Sequence, residues 1–197
     1  MMKSNTRQLF QKNKGFTLIE ILLVITICSI IILPLYAILN TSSNIFKSSK
    51  EKDEVILNAK HAIEYLKREI RASDMIIAHH KIKGLKDKYP ENIGFVLVIE
   101  EERDNPEKIS VYKYVTYHVK DNKLVRIACE GRELKYPSKD ELQGHNEICR
   151  MIESMSNTNF DIENSMIKLD FDFKSSIDDK QRLNVKSDIY IRCEIDY

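Results

Sequence analysis

The chain has 197 residues, with 31 Lys and Arg against 30 Asp and Glu and a formal net charge of +1, so no global basic field marks it for nucleic acid or an anionic surface. With 5 Gly and 4 Pro it has no low-complexity linker or repeat. It also lacks cysteines at zinc-like spacing, a glycine-rich phosphate loop, a nucleophile elbow and paired carboxylates in an apolar setting, so the sequence offers no enzyme and implies no metal or cofactor.

Residues 1–15 form a basic leader carrying Lys3, Arg7, Lys12 and Lys14 and no acid. Phe16 to Leu39 then runs apolar for 24 residues with Glu20 as its one charged residue. A helix of that length extends about 36 Å, enough to cross a hydrocarbon core of about 30 Å with some tilt. The following Asn40-Thr41-Ser42-Ser43 lacks the small-residue cleavage site of an ordinary secretory signal. Under the positive-inside rule the leader stays cytoplasmic and everything after Leu39 lies outside, a single-pass topology.

The run Lys14-Gly15-Phe16-Thr17-Leu18-Ile19-Glu20 resembles the class III signal of type IV prepilins and of the pseudopilins of type II secretion and competence systems. The resemblance covers Lys14 to about Leu39. It implies that a prepilin peptidase and N-methyltransferase of the membrane cuts after Gly15 on the cytoplasmic side and methylates the new amine of Phe16. It further implies that Glu20 is the fifth-position acid used in assembly. The implied partners are other pilin or pseudopilin subunits, an inner-membrane assembly platform, and membrane lipid before assembly. The protein then ends in a fibre at the cell surface or in a pseudopilus.

Physical chemistry gives Glu20 a reason of its own. A carboxylate in a spanning helix costs roughly 2.5–3.5 kcal/mol on insertion scales and usually faces a partner. Cleavage after Gly15 would free a cationic amine at Phe16, one helical turn away. A bridge from Glu20 of one subunit to the Phe16 amine of its neighbour compensates both charges and fixes the axial register of two otherwise apolar helices. The plainer alternative is that Glu20 snorkels to the cytoplasmic headgroups. Pro34 removes one helical hydrogen bond and predicts a kink or local melting, with Thr26 and Ser29 placed to relieve the freed groups. Family members commonly carry such a proline about one turn later, near Ala37 in this chain. Pro34 is read equally as a tolerated irregularity.

Residues 40–83 read as an extracytoplasmic amphipathic helix. Ile56, Ala59, Ile63, Leu66, Ile70 and Ile77 recur at three-and-four spacing, and Glu64 precedes Arg68 by one turn. Its first part, Lys47 to Glu54, is polar on every face and predicts a solvated neck. Residues 84–197 read as a β-rich head. Phe95–Ile99 suits a buried strand. Ile109–Val119 follows the turn-prone Asp104-Asn105-Pro106, and Asp121-Asn122 predicts a hairpin turn into Leu124–Ile127. Ile167, Leu169, Phe171 and Phe173 alternate with Lys168, Asp170, Asp172 and Lys174, a strand with one wet face. Asp178-Asp179-Lys180 predicts the reversal into a last strand through Leu183, Val185, Ile189, Ile191, Cys193 and Ile195.

These elements give an α+β class, a long N-terminal helix on an antiparallel sheet, the plan of the pilin-like fold. In addition, the helix segment His61–Ala72, the tyrosine-rich strand Tyr112–Tyr117 and the returning Leu124-Val125-Arg126 resemble J-type minor pseudopilins and W-type minor pilins. Residues 130–165 fit no pattern. Cys28 lies in the span, apart from Cys129, Cys149 and Cys193. An exported domain permits a Cys129–Cys149 disulfide, and buried unpaired thiols are the even alternative. His79-His80 predicts a solvated helix end rather than a metal site. Basic residues interleave with acids, so there is no clear nucleic-acid surface. Two readings from different classes emerge: a low-copy assembly subunit, and a permanently anchored single-pass surface binding protein. Gly15 and Glu20 separate them, since a simple anchor has no use for an acid five residues after a cut.

Overall fold

The computed structural model describes residues 15–102, 110–161, 163–175 and 182–196. The leader to Lys14, the Asp104-Asn105-Pro106 turn and the Asp178-Asp179-Lys180 reversal lie outside the described residues. Two units divide the chain, 1–48 and 49–197. Helix α1 (Leu18–Ala72) starts in the first and ends in the second.

In the first unit the large apolar side chains of α1, from Leu18 to Phe46, are all exposed, which a helix tolerates only with an apolar medium or partner around it. The helix is long and apolar enough to cross a membrane. It stays helical through Pro34, so the backbone does not melt there. The carbonyl that Pro34 deprives of an N–H is that of Ile30, four residues back. Thr26 Oγ1 donates instead to Leu23 O at 2.8 Å and Ser29 Oγ to Ile25 O at 2.8 Å, so the relief expected from these hydroxyls goes to other carbonyls.

In the second unit α1 buries Val55, Ala59, Ala62, Ile63, Leu66 and Ile70. Ile56, expected on this stripe, is 53% exposed, and Val55 takes its place. Glu64 pairs with Lys67 at 3.7 Å, while the Arg68 guanidinium lies 5.1 Å over the Tyr65 ring. The helix ends at Ala72 rather than near Lys83. Ser73 Oγ donates to Ile70 O at 2.7 Å, and Asp74 N–H bonds Val98 O at 2.8 Å, which starts β1 (Met75–Ala78). Helical periodicity carries Ile77 onward, but the Met-Ile-Ile-Ala run gains a full ladder against β2 (Phe95–Glu102), and tertiary pairing overrides the local pattern.

A 3-10 turn, His79–Lys81, and the short helix α2 (Leu85–Lys88) connect β1 to β2. Strands β3 (Ser110–Lys120), β4 (Lys123–Gly131) and β5 (Gly144–Arg150) follow as an antiparallel meander. The β3–β4 turn is the expected one: Asp121 and Asn122 both have positive φ, 52° and 57°, the backbone of a two-residue hairpin turn that matches strand twist. A second sheet holds β6 (Ile152–Ser154), β7 (Asn159–Asp161), β8 (Met166–Lys174) and β9 (Arg182–Tyr190). In β8 Ile167, Leu169, Phe171 and Phe173 are buried, as their alternation requires. The intervening Asp170 and Asp172 accept from Asn184 Nδ2 at 2.6 and 2.8 Å on the wet face.

The last predicted strand is two. After β9 the chain leaves the second sheet, and β10 (Glu194–Asp196) pairs parallel with β1, giving the first sheet the order β10-β1-β2-β3-β4-β5. That sheet is therefore antiparallel except at one edge. Its helix-side face shares a core with α1 and the second sheet, through Leu66, Tyr117, Leu124, Phe171 and others. Its opposite face carries a separate core, Ile77, Val98, Tyr114 and Ile127 under Ile82, Leu85, Tyr89 and Leu142.

Candidate processing and assembly segment

Gly15 precedes the helix. A Cβ added there would meet nothing within 4 Å, so this fold has no steric need for glycine at the position. Phe16 is 84% exposed. Thr17 is the N-cap, and its carbonyl accepts the first helical bond from Ile21 N–H at 3.3 Å. Glu20 Oε2 accepts from the Thr17 backbone N–H at 2.8 Å and from Thr17 Oγ1 at 2.9 Å, while Glu20 N–H reaches Thr17 Oγ1 at 3.4 Å. This is a reciprocal capping box, in which N-cap and third residue satisfy each other's N–H groups. In an apolar medium such groups have no water to turn to. Thr17 carries no expectation in the sequence analysis, although Thr-x-x-Glu before an apolar run is the written signature of such a box.

A glycine, an exposed aromatic and a helix long and apolar enough to cross a membrane, whose first turn ties down its one acid, stand together at the start of α1. Residues 10–36 match the prokaryotic N-terminal methylation motif, and that match supports a subunit like the type IV pilins and pseudopilins. No curated protein and no solved structure matches the chain.

The other predicted site residues fall elsewhere. Cys129 on β4 pairs in register with Tyr114 on β3, and Cys149 on β5 sits opposite Leu124. They are five residues apart along the ladder, roughly 17 Å at strand rise, whereas a disulfide needs Cα atoms within about 7 Å. They also face opposite sides of the sheet: Cys149 belongs to the helix-side core, and Cys129 packs on the other. The register shift beside Leu124 and Val125 turns Cys149 over. Both thiols are unpaired, the second of the two readings of the sequence. Burial pushes Cys129 up to about 11 and Cys149 up to about 12. Native protein at pH 8 is therefore expected to leave Cys149 unalkylated by iodoacetamide, and nonreducing peptide maps to show two separate thiol peptides; a linked Cys129–Cys149 peptide would contradict this register.

His79 and His80 lie in the 3-10 turn rather than at the end of α1, with ring planes at 85°. His79 Nδ1 is 2.8 Å from Gly94 O.

Three segments from different parts of the chain meet at one buried ion pair. Arg126 Nε donates to both carboxylate oxygens of Glu69, at 3.0 and 3.1 Å, and Tyr117 Oη donates to the same carboxylate. The side chains of Arg126 and Glu69 are only 8% and 14% exposed. This pair joins the face of α1 to the β3–β4 hairpin, holding the head onto the second half of the helix.

Proposed function

We propose that this chain is a minor pilin or pseudopilin, cut after Gly15 by a prepilin peptidase, methylated at Phe16, and drawn into or priming a type IV pilus or the pseudopilus of a secretion or competence system. The observation that carries the reading is the capping box itself, standing in register with Gly15 inside the matched segment. In this reading residues 1–15 are the cytoplasmic leader, 16–39 cross the membrane, the rest of α1 stands outside it, and the head begins at β1. Before assembly Glu20 is held by its own Thr17, which lets an acid wait at the membrane entrance. After the cut the Phe16 amine becomes a cation within one turn, and a carboxylate with lone pairs to spare accepts from a neighbour's amine as well. Packing sets no steric need for glycine at position 15, and in this reading it is the peptidase that needs it.

Intact mass and N-terminal sequencing of the mature protein test the reading. The expected chain begins at Phe16 and carries one added methyl group; one that still begins at Met1 overturns it. Gly15→Ala is expected to leave most of the protein uncut, as seen by its slower migration, with membrane insertion unchanged.

A further inference from the structure

An open cleft of about 650 Å³ lies on the side of the first sheet away from α1, between the end of α2, the β3–β4 turn and β5. At its floor is His118, 6% exposed, whose Nε2 has no hydrogen-bond partner among the described residues. A buried polar atom left in that state costs about 1–3 kcal/mol, so the site asks for a partner. The ring is wedged against Tyr89, centroids 4.8 Å apart, and faces the exposed ring of His145 at 6.3 Å. Burial, then His145, then Lys120 hold its imidazolium below the ordinary range.

The walls are cationic. Lys88 comes from α2, Lys120 from β3 and Lys123 from β4. The carboxylates that face the cleft are Asp121, in the turn, and Glu147, on β5. Glu147 is already engaged by Lys123 at 2.8 Å, and Lys88 donates to Lys139 O at 2.8 Å and reaches Asp140 at 3.7 Å, which leaves Lys120 as the wall amine nearest His118 in sequence. The geometry points to a tetrahedral oxyanion of the phosphate or sulfate class as the occupant, accepting from His118 Nε2–H at the floor and from the lysines of the wall. Such an anion supplies both missing elements, a partner for Nε2 and a countercharge for a protonated imidazole among amines. Because burial and the neighbouring cations disfavour the imidazolium, anion binding takes up a proton, and affinity must rise as pH falls through the histidine range.

The test uses the full-length chain, His-labelled, in a neutral zwitterionic detergent. Sulfate is the probe because its charge is constant between pH 5 and 8, and chloride at equal ionic strength is the control. Sulfate is expected to bind at least about fivefold tighter at pH 5.5 than at pH 7.5 and to raise the midpoint of the His118 titration. Lys120→Gln, at an exposed position, weakens binding several-fold, and His118→Gln abolishes its pH dependence. A second arm places the chain in phosphatidylcholine or phosphatidylglycerol bilayers without sulfate. A raised His118 midpoint in the anionic bilayer assigns the anion to a lipid headgroup, and a response to free sulfate alone assigns it to a soluble ion. A His118 titration indifferent to both overturns the proposal, as does sulfate binding untouched by Lys120→Gln.

Discussion

Arg126→Leu is expected to destabilise the head by about 3–5 kcal/mol, a fall of roughly 10 °C in the unfolding midpoint of the full chain in detergent. The substitution strands the Glu69 carboxylate, 14% exposed, with the hydroxyls of Tyr117 and, at 3.5 Å, Tyr65 as its remaining partners. An uncompensated buried charge is what makes the loss large, because the intact pair itself contributes little beyond the cost of its desolvation. The combination Glu69→Leu, Tyr117→Phe and Arg126→Leu removes the ion pair and its closest hydroxyl, leaving only the part-buried Tyr65 hydroxyl, and is expected to recover most of the loss. A single Arg126→Leu variant within 1 kcal/mol of the parent, by urea unfolding, would show that the cluster does not fasten the hairpin to the helix.

Glu20→Val is expected to leave membrane insertion intact and to cut incorporation into fibres by an order of magnitude or more. Removing a carboxylate from the span relieves roughly 2.5–3.5 kcal/mol of insertion cost, so failure to insert is not the anticipated defect. The variant also dissolves the capping box, whose loss alone costs about 1 kcal/mol at the helix start. Glu20→Gln separates the two effects. Its amide oxygen still accepts from the Thr17 N–H, but it carries no charge for the neighbouring Phe16 amine. If the glutamine variant enters sheared fibres as efficiently as the parent, the intersubunit bridge is wrong and the acid serves only its own helix.

Much of this was legible where the signal is local. Asp121-Asn122 takes the backbone its residue types favour, and the alternation from Ile167 to Phe173 alone shows which face of β8 is buried. The end of α1 was not legible, because Ile77 continues the helical period and only its partners on β2 make it a strand. The cysteines were not legible either. Whether Cys149 faces Cys129 depends on a single bulge at Leu124 and Val125, which leaves no mark in the composition of β5. The helix segment, the tyrosine strand and the Leu124-Val125-Arg126 return stood out separately as sequence patterns. That Glu69, Tyr117 and Arg126 meet is a fact of packing. At the N-terminus Gly15 and Glu20 were plain, while Thr17 was visible and unread.

The parallel pairing of β10 with β1 sets a timetable for folding. Met75, Ile76 and Ile77 wait for Glu194, Ile195 and Asp196 to cover their outer edge, and those lie far downstream in the chain. Until that segment has emerged, the rim of the first sheet stays open and the nascent polypeptide cannot lock shut. Three residues then seal it, with Asp196 clasped by Lys81 and Tyr136, and a strand so short offers little template for another molecule to zip onto.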